Sequence, residues 1–257
     1  MDDTIDPPTP PLPSTPPSSS TAVAVRIRAF VEVVLCSDFP TQLIVIQVLA
    51  WIGLHPLLDN GGLSLTYVAT LSLVDAAALI ALMFWLMRRR GESAREAFLG
   101  ARPIGREARL GILLVPGIVL FVPVSLLLIQ RFAPALHNVA VNPLESLLET
   151  PRDIWIFAVV AIVAGGLREE LQRAFILRRF EQHLGGARVG LVVFSIAFGA
   201  GHLLQGWDAA IVTAMLGLVW GIVFLARRSV VAPLVSHACF NLSEIVRHVA
   251  VTEWVAG

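Results

Sequence analysis

Three short polar signatures interrupt otherwise apolar stretches of the chain: Arg168-Glu169-Glu170-Leu171-Gln172-Arg173, Phe198-Gly199-Ala200-Gly201-His202 and His237-Ala238-Cys239-Phe240-Asn241. Glu169 and Arg173 are four apart, so on a helix they share a face with the acid N-terminal, the favourable order for an ion pair. Glu170 points about 100° further round, toward a different neighbour. An Arg partner lets a carboxylate stay ionised at depth, which is how a water-activating base can be tuned. A purely structural salt bridge would look the same in this stretch alone. His237 and Asn241 are also four apart, which aims an imidazole and an amide at one volume. Glu169, His202 and His237 together are a ligand set of the kind that holds catalytic zinc with an open position for water, although no HExxH brings them together locally.

These residues need a frame that buries them. The 257 residues are 56% hydrophobic, 15% charged and have a mean hydropathy of +0.76, which places the chain among multi-spanning membrane proteins. An ionisable group at membrane depth costs roughly 2.5–3.5 kcal/mol on insertion scales, so these side chains are expected to face one another or a wet cavity. The expected fold is therefore all-α, a membrane helix bundle of about seven spans: Leu43 to Leu58, Leu63 to Met87, Leu110 to Ile129, Ile154 to Leu177, Val189 to Leu204, Ala209 to Ala226 and Val230 to Val246. Ala22 to Cys36, which carries Arg26, Arg28 and Glu32, reads as an interfacial helix before them. Asp75, in the second span, is expected to pack against a hydroxyl or a backbone group rather than join the chemistry.

Residues 1–20 hold seven prolines among Ser, Thr and Asp, a composition that buries no core and predicts a disordered tail. That tail has no basic region followed by an apolar run, so it is not a cleavable signal peptide. The rest divides into N-terminal helices at 21–142 and a helical core carrying the signatures at 143–257. The C-terminus lacks a Cys four from the end and is no prenylation target. Cys36 and Cys239 form no CxxC pair and read as small apolar fillers.

Net charge is zero, which leaves no electrostatic footprint for nucleic acid. The expected partner is the lipid bilayer. All 19 basic residues are Arg, a weak hint of a bacterial source. Seven of them lie between Arg88 and Arg109, three at Arg178, Arg179 and Arg188, and two at Arg227 and Arg228, while the alternate loops are nearly bare. The bias predicts a cytoplasmic N-terminus and an outer C-terminus. Helical rise puts Glu169 about 14 Å from Arg178 and His237 about 14 Å from Arg228, but His202 about 21 Å from Arg188, a mismatch for a single site.

Taken together, the signatures resemble the CPBP family, which comprises the type II CAAX prenyl proteases and the bacteriocin-processing or self-immunity (Abi) proteins. Its pattern is EExxxR on one helix, FxxxH on the next and HxxxN or HxxxB on a later one. Phe198 with His202 fits the second motif, His237 with Asn241 the third, and the likeness runs from about Pro143 to Asn241. The first motif departs from the pattern. If Glu169-Glu170 is the acidic pair, Arg173 comes one residue early; if Arg173 is the anchor, Arg168 replaces the first Glu.

The resemblance implies an intramembrane endopeptidase of the bacterial cell membrane, cleaving a membrane-associated or lipidated peptide. Glu169, with Glu170, would activate water; His202 and His237 would bind that water, a metal or the developing oxyanion, and Asn241 would donate to the oxyanion. Arg173 and Phe198 would support them. It leaves open a zinc mechanism and a metal-free glutamate mechanism. Two rivals remain, a catalytically silent immunity or partner-binding protein on the same scaffold and a small transporter with Glu and His as proton relays. No internal repeat speaks for the transporter.

Overall fold

The computed structural model describes residues 19–256. The expected disorder of the Pro-rich tail therefore falls, up to Ser18, outside the described residues, and so does the terminal Gly257. The described residues form a helical bundle, α1 (Ser19–Leu35), α2 (Phe39–Trp51), α3 (Leu65–Arg89), α4 (Ala94–Phe98), α5 (Ile104–Phe132), α6 (Pro151–Val160), α7 (Glu169–His183), α8 (Ala187–Ala200), α9 (Trp207–Arg227) and α10 (Val231–Ala256). Among them the one β-type pairing recorded is an isolated antiparallel bridge, Leu57 with Leu63.

Four helical stretches are long and apolar enough to cross a bilayer: Ala22–Trp51, Leu65–Arg89, Ile104–Phe132 and Trp207–Arg227. Of the other segments read as spans, α8 is short, while the α6–α7 run and α10 are interrupted by charge. Several bounds move. The first span ends at Trp51 rather than Leu58, because Gly53, Pro56 and the turn to Gly62 cannot continue a helix. The fifth ends at Ala200, and α10 runs ten residues past Val246.

The segment read as interfacial is tied to the bundle along one face, while Val23, Ile27 and Phe30 stay exposed on the other. Its Glu32 is 2% exposed and accepts from Arg90 (2.8 Å) and Arg179 (2.7 Å), which ties α1 to α3 and α7. A carboxylate can be buried there because two guanidiniums replace its water.

The α6–α7 run positions the first signature. Thr150 caps α6 with a full capping box to Asp153, and Pro151 opens the helix. Between α6 and α7, Ala161–Arg168 adopts π geometry, with i→i+5 bonding that widens the turn and rotates all that follows. Gly165 and Gly166 lie in this segment, against α10. A Cβ on Gly166 would sit 3.0 Å from the Ala238 Cβ, so a side chain there would crowd α10. Gly217 and Gly221 likewise face Ser195, Phe198 and Leu191 of α8, so the GxxxG stripe of α9 is spent on packing within the chain.

Candidate active site

His237 stands in the first turns of α10, 4% exposed, and its two ring nitrogens face two different carboxylates. Nδ1 lies 2.8 Å from Glu170 Oε1. Nε2 lies 3.8 Å from Glu169 Oε2. An ionised carboxylate only accepts, so Nδ1 donates to Glu170, and in the neutral ring Nε2 is then an acceptor turned toward Glu169.

Glu170, 1% exposed, is also ion-paired with Arg173 one turn along α7. This corrects the pairing expected from spacing. Arg173 takes Glu170 at i, i+3, not Glu169 at i, i+4, because Glu170 and Arg173 share the fully buried face of α7. Glu169 instead accepts from Arg168 at 3.0 Å.

Arg173 is wholly buried and has aromatic rings where water would be: Phe194 at 5.1 Å, Phe198 at 5.0 Å and Trp220 at 5.6 Å from its guanidinium carbon. Ring faces attract a cation by roughly 0.5–2 kcal/mol each, more where water is excluded. They offset part of the desolvation that a single carboxylate does not.

Arg168 anchors a second polar cluster. It pairs with Asp38 at the break between α1 and α2 and lies 3.5 Å from Asp75. Asp75 thus faces a guanidinium rather than only the hydroxyl or backbone group expected. Through Arg168 it stands one side chain from Glu169.

His202 lies just beyond the end of α8. Its Nδ1 donates to the Phe198 carbonyl at 2.9 Å, and among the described residues no hydrogen bond engages Nε2. Phe198 sits between the histidines, with ring centroids 5.1 Å from His202 and 6.2 Å from His237. Asn241 Nδ2 donates to the Ala161 carbonyl at 3.2 Å, an acceptor at the start of the π segment, and keeps its second N–H.

His202, His237, Asn241, Phe198 and Gly165 line one cavity of about 530 Å³. Its inner wall is apolar, with Val122, Leu216, Trp220 and Phe240, and its other end is polar, with His137, Asp208, Glu145 and His248. His202 sits past the end of α8 and still lines the same cavity as His237 and Asn241. Glu169 is outside the lining and meets the site through His237. Among the described residues, no three of His, Cys, Asp and Glu come together as a metal-binding group, so Glu169, His202 and His237 as placed do not form a zinc set.

Trp220 and the Arg168 cluster were not singled out from the sequence. The one signal for Trp220 was its place in Gly217-Leu218-Val219-Trp220-Gly221, where flanking glycines let an indole reach between helices.

Residues 150–243 match the family model for the type II CAAX prenyl endopeptidase, Rce1-like. This segment belongs to the CPBP family. The match spans the π segment, α7 to α9 and the start of α10, so every residue of the three signatures falls inside it. No curated protein and no solved structure matches the chain. The CPBP segment carries a CAAX-protease-type membrane fold, and α1 to α5 complete the bundle around it.

Proposed function

We propose that this chain is an intramembrane endopeptidase that hydrolyses a peptide bond in a membrane-associated or lipidated peptide, with water activated by Glu169. One observation carries the reading: His237 Nε2 and Glu169 Oε2 face each other 3.8 Å apart where His237 lines the cavity, and with the ring neutral both are acceptors. Two acceptors at that separation suit a species that donates twice. A water about 2.8 Å from each would give one hydrogen to the imidazole and one to the carboxylate, turning its lone pairs outward.

The steps follow from these positions. Glu169 takes the proton as the water oxygen bonds to the carbonyl carbon. The second N–H of Asn241 donates to the oxyanion. His202, whose Nε2 is an acceptor in the neutral ring, takes a substrate amide N–H. Collapse breaks the C–N bond, and the proton held by Glu169 passes to the leaving amine. Glu170 orients His237 rather than acting on water. No step runs through a metal.

The Arg-rich end of the bundle is assigned to the cytoplasm and the polar end of the cavity to the outer side. Asn60→Cys and Leu204→Cys should react with an impermeant thiol reagent in intact cells, and Glu92→Cys should not. Reaction at Glu92→Cys would reverse the topology.

Glu169→Gln keeps the shape and removes the base. Cleavage of a membrane-anchored peptide library by the purified protein in liposomes should fall about 10²–10⁴-fold, with unfolding unchanged. Undiminished cleavage would remove the mechanism. A wild-type protein that cleaves nothing would favour the silent scaffold.

A further inference from the structure

Four side chains of the site close into a ring. Trp220 stacks on His237, with centroids 3.8 Å apart and planes 16° from parallel. His237 donates to Glu170 at 2.8 Å, Glu170 pairs with Arg173, and the Arg173 guanidinium lies 5.6 Å from the Trp220 ring. The indole is itself fixed, because its Nε1 donates to Ser236 Oγ at 3.1 Å. Ser236 is the residue before His237, and its hydroxyl is held in turn at the Ala232 carbonyl, 2.9 Å away. Trp220 is 1% exposed and also lines the cavity.

We infer that Trp220 is a positioning residue for the proposed hydrolysis: it clamps the His237 ring so that Nδ1 meets Glu170 and Nε2 meets Glu169. The inference rests on the proposed function. A hydrogen bond at Nδ1 alone leaves the imidazole free to tilt about that axis. A stacked plane removes the freedom, and the Ser236 bond stops the plane from sliding along α10. Trp220 also shields the Glu170–Arg173 pair from the cavity, so the acceptor that sets the tautomer keeps its partner. The geometry asks for a flat ring in this place. Phe supplies the plane without the anchor, and Leu supplies neither.

The test uses the full-length protein in nanodiscs with ¹⁵N-labelled histidine, the His237 signal being assigned by its loss in His237→Gln. The unsubstituted protein and Trp220→Phe should show one tautomer, protonated at Nδ1. Trp220→Leu should show averaged ring nitrogens at His237, with the His137 signals unmoved as the check on folding. In cleavage, Trp220→Leu should lower kcat at least tenfold with KM within about twofold, because misplacement by about 1 Å costs that order without weakening substrate binding. Trp220→Phe should recover most of the loss. Ser236→Ala, a smaller change, should fall between them if Trp220→Leu fails to fold. A single Nδ1 tautomer in both Trp220→Leu and Ser236→Ala, with kcat unchanged, would overturn the inference. Loss of the tautomer in a protein that cleaves nothing would leave the clamp standing and remove the hydrolysis.

Discussion

Helix α7 carries two buried ion clusters roughly 9 Å apart along its axis, and they are built differently. At its C-terminal half, Arg179 donates to Glu32 at 2.7 Å and to Glu92 at 2.8 Å, while Arg90 donates to Glu32 and contacts His183 at 3.2 Å. Each carboxylate there meets a guanidinium, and none of Glu32, Glu92 and Arg179 lines the cavity. At its N-terminal half each carboxylate also has a guanidinium, Arg173 for Glu170 and Arg168 for Glu169, but the second oxygen of Glu169 faces His237, whose ring lines the cavity of about 530 Å³. Burial and charge are alike in the two. The difference is an unspent pair of acceptors at a cavity, which separates a site that can hold a reactant from one that holds helices together.

The largest effect should come from Arg173→Ala. It strands Glu170 with one imidazole donor where no water reaches, so unfolding in detergent should shift by about 3–5 kcal/mol and cleavage should be lost with it. A stable, active Arg173→Ala protein would make the cluster at the N-terminal half of α7 as dispensable as a surface pair.

Glu32→Gln comes next and should separate the two clusters. Leaving Arg90 and Arg179 short of a carboxylate should cost about 1–3 kcal/mol of stability, with cleavage per folded molecule within about twofold of the unsubstituted protein. A loss of kcat in a protein that unfolds normally would join the two clusters into one functional unit.

The smallest effect concerns an exposed pair. Arg228 donates to Glu181 at 2.6 and 2.7 Å, and those hydrogen bonds hold the Glu181 carboxyl below the usual carboxylate range. A depressed folded value contributes stability that is present above the unfolded pKa, about 4.3, and is lost as pH falls through the folded value. Both side chains are partly solvated, so Glu181→Gln should cost below about 1 kcal/mol at neutral pH and nothing at low pH. An equal cost at pH 7 and pH 3, read from thermal unfolding, would show that the ion pair is not its source.

Much of this was legible because it is local. Spacing put Phe198 and His202, and His237 and Asn241, on common faces, and intramembrane polarity predicted that they share a volume; His202, His237 and Asn241 line the same cavity. The α7 pairing was misread because i,i+3 and i,i+4 partners are both within reach on one helix, and burial of the Glu170 face, a tertiary matter, decides between them. The π segment at Ala161–Arg168 depends on Gly165, Gly166 and Asn241 meeting across two helices, which no window of residues contains. Asp38 and Asp75 are far from Arg168 in the chain, so their cluster had no local signal either. Trp220 looked like one more apolar residue of a span, since its stacking partner lies on the next helix.

The central claim is that Glu169 and His237 activate a solvent water, and isotope transfer tests it most directly. The purified protein and its Glu169→Gln variant are incubated with a membrane-anchored peptide in water enriched in ¹⁸O, and the new C-terminal carboxylate is weighed by mass spectrometry. The account predicts one solvent oxygen in the product of the unsubstituted enzyme and no product above background from Glu169→Gln. Labelled product from Glu169→Gln at the unsubstituted rate would contradict it.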